Sequence, residues 1–189
     1  MTPARAILLA WAIAVAALLS GCSGAPSQAF DLAAPPTKSA AARRTSIAVA
    51  EPSAAPNLDS RRILVRTSPT EVAVLADAEW ADQLPDLVKA RFADSLRNAG
   101  FASPEDQTAA RYRLGIDIRH FELDAYDPGV TAELLVNVSP VDSPTRLFSA
   151  SYRVSLPVAS TSPSTVAAAL NAAFADIAAK AVAAIANRF

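Results

Sequence analysis

The chain has 189 residues, 52% of them hydrophobic and 19% charged, with 17 basic against 18 acidic side chains and a net charge of −1. That balance excludes the basic stripe of a nucleic-acid binder, and the length leaves room for one modest domain after an export signal. One Cys and one His exclude an intramolecular disulfide, a CxxC metal site and a multi-His metal centre.

Met1 to Cys22 reads MTPARAILLAWAIAVAALLSGC, with Arg5 its one charged side chain. Ala6 to Leu19 is an unbroken apolar run of 14 residues. A transmembrane helix needs about 20, so the run fits the h-region of a secretory signal better. It ends in Leu19-Ser20-Gly21-Cys22, which resembles a bacterial lipobox. Small residues at Ser20 and Gly21 let the chain enter a peptidase cleft extended, with cleavage between Gly21 and Cys22. The Cys22 thiol then carries diacylglycerol and its amine an acyl chain, enough lipid for stable anchoring. Ser23 follows the Cys, and by resemblance to enteric lipoproteins a residue other than Asp there implies sorting to the outer membrane.

Residues 23–45 are rich in Pro, Ser and Ala, a composition that cannot repay its ordering entropy by burial. The expected organisation is a signal peptide over 1–21, a lipidated flexible tether over 22–45 and a domain over 46–189. Phe30 and Leu32 are the bulky apolar residues of the tether and leave open the docking of a short strand.

Ile47 to Ala50 reads as a first strand, ended by Glu51-Pro52 and suited to an edge. Arg62 to Arg66 and Glu71 to Leu75 read as a hairpin around the turn Thr67-Ser68-Pro69-Thr70. Leu84 to Ala99 is a helix whose stripe is Leu84, Leu87, Val88, Phe92 and Leu96. Asp82 and Pro85-Asp86 suit its first turn, and Gly100 its stop. Three alternating strands follow, over Tyr112 to His120, Thr131 to Ser139 and Arg146 to Leu156. The apolar parity flips near His120-Phe121, which predicts a bulge. Ser162-Pro163 opens a last helix to about Asn187, with Ser162 as cap and Val166, Leu170, Phe174, Ile177, Ala181 and Ile185 as its stripe. The order predicts an α+β two-layer sandwich, a largely antiparallel sheet with two helices packed on one face.

Catalytic motifs are lacking. The five glycines form no phosphate-binding loop, and no GxSxG elbow places a Ser nucleophile against His120. Glu122, Asp124 and Asp127 lie near His120 in sequence and read as strand and turn residues rather than an acid–base pair or metal site. No catalytic residue, metal or cofactor is expected beyond the lipid on Cys22. Trp80, between Glu79 and Asp82, reads either as a lid on the core at the helix entrance or as a partner-contact anchor. Tyr126, near a turn, carries the same two readings, and Leu135 on an otherwise polar strand face is a third candidate contact.

The lipobox, the Pro-rich tether and the segment Leu58 to Phe101 together resemble the ABC-type transport auxiliary lipoprotein family. Leu64-Val65-Arg66, Val72-Ala73-Val74, Ala78-Glu79-Trp80-Ala81 and Leu84-Pro85 stand where that family has a strand ending in a basic residue, a hairpin, an acidic stretch with Trp and a helix start. Ala29-Phe30-Asp31-Leu32 before Pro35-Pro36 is a thin version of the family's Tyr-rich strand motif. The resemblance implies an outer-membrane lipoprotein of a Gram-negative envelope, facing the periplasm. Its implied partners are a periplasmic protein with mammalian-cell-entry (MCE) domains and the ABC transporter it serves, with homo-oligomers admitted because MCE proteins are rings. Its implied role is docking in lipid transport, without catalysis. Other readings are a lipid carrier with a groove between sheet and helices, an envelope-assembly lipoprotein and, least supported, a hydrolase.

Substituting Cys22→Ser leaves the domain folded and abolishes incorporation of a labelled fatty acid. Continued lipid labelling of the variant in the membrane fraction contradicts the lipobox.

Overall fold

The computed structural model describes residues 27–35 and 41–189. Its elements are β1 (Gln28–Phe30), β2 (Ile47–Val49), β3 (Ser53–Ala54), β4 (Arg62–Ser68), β5 (Glu71–Trp80), α1 (Leu84–Asn98), a 3-10 turn (Gln107–Ala109), β6 (Tyr112–Asp124), β7 (Gly129–Pro140), β8 (Phe148–Pro157) and α2 (Pro163–Ala186). The strands form one mixed sheet in the order β1-β5-β4-β6-β7-β8. One side of β6 is shared in succession by β2, β3 and β4, all parallel to it. The β4–β5, β6–β7 and β7–β8 pairs are antiparallel. With two helices against this sheet the fold is α+β, as the element order implies.

Alternation sets which side chains are buried. On β7 the inward set is Ala132, Leu134, Val136 and Val138, all fully buried. On β6 it is Leu114, Ile116 and Ile118, then Phe121 and Leu123. The parity changes because Ile118 pairs with Leu134 but His120 with Glu133, leaving Arg119 as the extra residue of a bulge. The bulge turns both apolar sets onto the same face. On β8 the corresponding residues Phe148 to Leu156 are only half-buried, because the strand is a sheet edge.

The stripe of α1 is buried as its spacing requires, and Phe92 meets Phe174 of α2 edge to face at 5.7 Å. α1 stops where Gly100 takes a φ of 88°, a left-handed conformation open to glycine. α2 starts with Pro163 in its first turn, but Ser162 makes no capping bond to the helix backbone. Its hydroxyl meets that of Thr165 instead, at 2.8 Å. The 24 residues of α2 are apolar and long enough to cross a membrane, yet Val166, Leu170, Phe174, Ile177, Ala181 and Ile185 are all buried in the domain. Among the described residues these side chains pack between the sheet and the helices in one core.

The largest departure from the sequence reading lies in the stretch assigned to the tether. Gln28–Phe30 pairs in parallel with Ala78–Trp80 of β5, and Leu32 is 2% exposed within the core. Arg91 of α1 donates from Nε to the Leu32 carbonyl at 2.6 Å and from Nη2 to Asp31 at 2.7 Å. The Asn171 side chain of α2 accepts from the Ala33 amide at 2.7 Å. Arg43 adds a second tie, donating to the carbonyls of Ala99 and Ala186 at the C-terminal ends of both helices. A guanidinium there meets unpaired carbonyls and the negative end of each helix dipole. The domain therefore begins well before residue 46. Composition argues for a loose tether, but two bulky side chains and a reaching arginine suffice to order a short segment.

Leu32→Ala costs about 2–4 kcal/mol of stability, the range for a buried leucine that leaves a cavity. Urea unfolding measures it; a loss near zero would return this segment to the tether.

Candidate functional site

Gly21 and Cys22 lie outside the described residues. The other three sequence candidates separate sharply by burial. Trp80 is 0% exposed, so it is a core residue and not a surface for a partner. β5 is longer than the expected Glu71 to Leu75, and it bends on the way. Asp77 takes a φ of 56°, rare for a residue with a side chain. The β4–β5 register also breaks, with Arg62 opposite Glu79 but Leu64 opposite Val74. Past this bend Trp80 sits in the core edge-on to Phe121, with ring centres 5.6 Å apart. Its indole N–H is buried without an acceptor.

Tyr126 is the opposite case, 75% exposed in the β6–β7 turn. Asp124 shapes that turn, its Oδ1 accepting from the amides of Tyr126 at 3.0 Å and Asp127 at 3.2 Å. Leu135 is half-buried on the helix-free face, in register with Asp117 and Ser151. Its neighbours there are polar, with Glu133 bonded to Ser151 and Arg153 and Arg119 bonded to Asp117. An isolated leucine in such a ladder is an ordinary surface residue.

His120 has a definite environment. Glu122 is 4% exposed, and its Oε1 receives Arg66 Nε at 3.0 Å, Arg66 Nη2 at 2.8 Å and His120 Nδ1 at 3.0 Å. A carboxylate held by an arginine accepts only, so His120 carries its proton on Nδ1 when neutral and leaves Nε2 as an acceptor. Among the described residues no hydroxyl or thiol hydrogen-bonds that imidazole. The cluster ties β4 to β6 across their parallel pairing, where Leu64 lies opposite Glu122. It positions the hairpin that β4 begins.

The hairpin itself follows from the sequence, but the exposure of its apolar outer strand is the feature sequence reasoning missed. Val72 is 40% and Val74 45% exposed, and with Tyr126 they are the large hydrophobic side chains exposed among the described residues. Beside them lies a shallow cleft of about 430 Å³ lined by Pro56, Leu64 and Arg62. The signal was present in Val72-Ala73-Val74-Leu75-Ala76, where both faces of the strand are apolar and neither offers a polar partner to water. Another cleft, of about 440 Å³, lies along α1. Its cations are already matched: Lys89 by Glu51, and Arg91 and Arg97 by Asp94. Partial burial alone would lower the Arg91 pKa, but its hydrogen bond to Asp94 and the charge of Asp31 hold it above its ordinary value. Among the described residues no group of three or more His, Cys, Asp or Glu is arranged to hold a metal.

These features describe a small α+β domain whose exposed large apolar side chains, among the described residues, lie on the β4–β5 hairpin and the β6–β7 turn. The chain belongs to the family of ABC-type transport auxiliary lipoprotein components, which matches residues 30–182. The match begins inside β1, consistent with that strand being part of the domain. Uncharacterized protein bll6063 of Bradyrhizobium diazoefficiens is 34% identical over 164 residues, covering 82% of this chain and 44% of the relative. The chain thus spans less than half the length of that relative. The crystal structure of protein XCC0632 from Xanthomonas campestris is similar at a TM-score of 0.73 and 27% identity, over 85% of this chain and 96% of that one. A second crystal structure, of an uncharacterized protein, shares the fold at a TM-score of 0.62 and 13% identity, over 84% of this chain and 99% of the other.

Trp80→Ala lowers stability by about 3–5 kcal/mol, as for other fully buried aromatics. Trp80→Phe costs much less, because it keeps most of the packing and removes the unpaired N–H. Chemical denaturation of both variants checks this; a Trp80→Ala protein of undiminished stability would restore the surface-anchor reading.

Proposed function

We propose that this protein is a lipid-anchored docking component of an MCE-type ABC transport system, held at the periplasmic face of the outer membrane. It acts on intermembrane transport of lipid or another hydrophobic substrate by binding its partners, without a chemical step of its own. The observation that carries the reading is the family match over 30–182, joined to a lipobox at Cys22 that precedes it by eight residues. Support also comes from the interior, where side chains of the sheet and both helices pack as one core among the described residues, and from His120, whose imidazole bonds Glu122, the carboxylate that Arg66 ties to β4. Partners are an MCE-domain protein and its transporter, with further copies of this chain as a second class of neighbour. The diacylglycerol and acyl groups on Cys22 are the only covalent additions the function needs.

Crosslinking in intact cells with a tag at the C-terminus, followed by mass spectrometry, tests the proposal. Recovery of an MCE-domain protein or its ABC transporter is the expected result. Recovery of an outer-membrane assembly machine, or of self-crosslinks alone, contradicts it.

A further inference from the structure

The exposed apolar side chains share one end of the sheet, and β1 has its N-terminal end directed the same way. β1 runs parallel to β5, so its start at Gln28 points toward Glu71 and the hairpin turn. β4 runs parallel to β6, so the hairpin turn and the β6–β7 turn lie at the same end. The amide of Ala125 donates to the Arg66 carbonyl at 2.9 Å, joining the two directly. Val72, Val74 and Tyr126 therefore stand together there, while the β7–β8 turn with Asp142 lies at the other end.

Lengths agree with direction. Ala29 pairs with Glu79, which pairs with Arg62, so Ala29 is level with Arg62. Ser68 at the turn is six residues further along β4, about 20 Å at strand rise. Cys22 is seven residues before Ala29, a reach of at most about 25 Å when extended. A lipid on Cys22 therefore cannot sit in a membrane much beyond the level of the hairpin turn. An order of 23 tether residues would have left the domain free to stand off; with β1 in the sheet it has little slack.

We infer that the β4–β5 hairpin, through Val72 and Val74, and Tyr126 of the neighbouring turn rest on the lipid surface in which Cys22 is anchored and fix the orientation of the domain there. The inference rests on the lipidation of Cys22 proposed above. Two valines and a tyrosine do not bind a membrane on their own; the lipid supplies the hold and these side chains select which end faces it. Tyrosine suits the interface, with an apolar ring and a hydroxyl that reaches water. The turn residues Thr67, Ser68, Pro69 and Thr70 are uncharged, and the ionisable groups flanking the patch are of both signs: Glu71, Asp124 and Asp127, with Arg62 beside Val72 and Val74 and Arg153 beside Asp124 and Asp127. With the two signs mixed, nothing recommends a strongly anionic surface, and the occupant is a zwitterionic one. Depth is limited as well. Over 71–77 β5 has no strand partner on its outer side among the described residues, and an open strand edge cannot enter hydrocarbon. The contact is at headgroup level, with the opposite end of the domain directed away from the membrane.

The test uses the full lipoprotein purified from membranes, with Val72→Cys, Tyr126→Cys or Asp142→Cys as its one free thiol, because lipid occupies Cys22. Each carries an environment-sensitive fluorophore and is reconstituted in phosphatidylcholine vesicles with or without lipid brominated near the headgroup. Quenching at 72 and 126 about twofold or more above that at 142, insensitive to salt, is the expected result. Vesicle-bound protein whose label at 72 is quenched no more than that at 142 overturns the hairpin contact and leaves the anchor standing. A blue-shifted but unquenched label at 72 means a second copy covers the hairpin and also overturns it. Protein that takes two labels and fails to float with vesicles overturns the lipidation reading itself.

Discussion

Arg91 decides where this domain begins. From one turn of α1 its guanidinium reaches the Leu32 carbonyl, Asp31 and Asp94, at 2.6, 2.7 and 3.1 Å. Charge-assisted bonds of this kind are stronger than neutral ones, and they act on a segment whose Leu32 is already in the core. Neither contribution orders a Pro- and Ala-rich stretch alone. Together they hold β1 against β5, and so extend the sheet past the hairpin and cover Trp80, which pairs with Phe30. The sheet edge and the strand that covers Trp80 both follow from that one attachment.

The second constraint is the buried carboxylate of Glu122. It links β4 to β6 through Arg66 and carries His120 on the same oxygen. Leaving such a carboxylate without its guanidinium in an apolar sheet would be costly, so β4 is held to β6 close to the hairpin turn, while the outer strand β5 bends at Asp77, toward the end away from that turn. The result is an apolar outer strand on a firmly held inner one, in a chain that belongs to the family of ABC-type transport auxiliary lipoprotein components.

Much of the fold is legible in the sequence, and the reasons differ by element. β7 reads directly because its alternation of Ala132, Leu134, Val136 and Val138 is unbroken. The β6 bulge shows as a change of parity, and α1 as a stripe closed by Gly100. β1 shows only as the docking left open for Phe30 and Leu32, since three residues of strand have no period and their order depends on Arg91, distant in sequence. Trp80 was ambiguous because a tryptophan among acidic neighbours suits a surface as well as a core; only the bend at Asp77 turns it inward. Val72 and Val74 look like ordinary strand residues until the topology leaves β5 without an outer partner at their level. The parallel β4–β6 and β1–β5 pairs carry no local signal of their own, so the long antiparallel ladders are legible in the sequence and these short parallel pairs are not.

The attachment of β1 is best measured by hydrogen–deuterium exchange on the full lipoprotein. The account predicts slow exchange of the amides over 28–33, approaching that of β6 and β7 and well beyond that of a free chain. Complete exchange of this peptide within seconds, while β6 and β7 stay protected, would contradict it and return the domain to a long, loose leash.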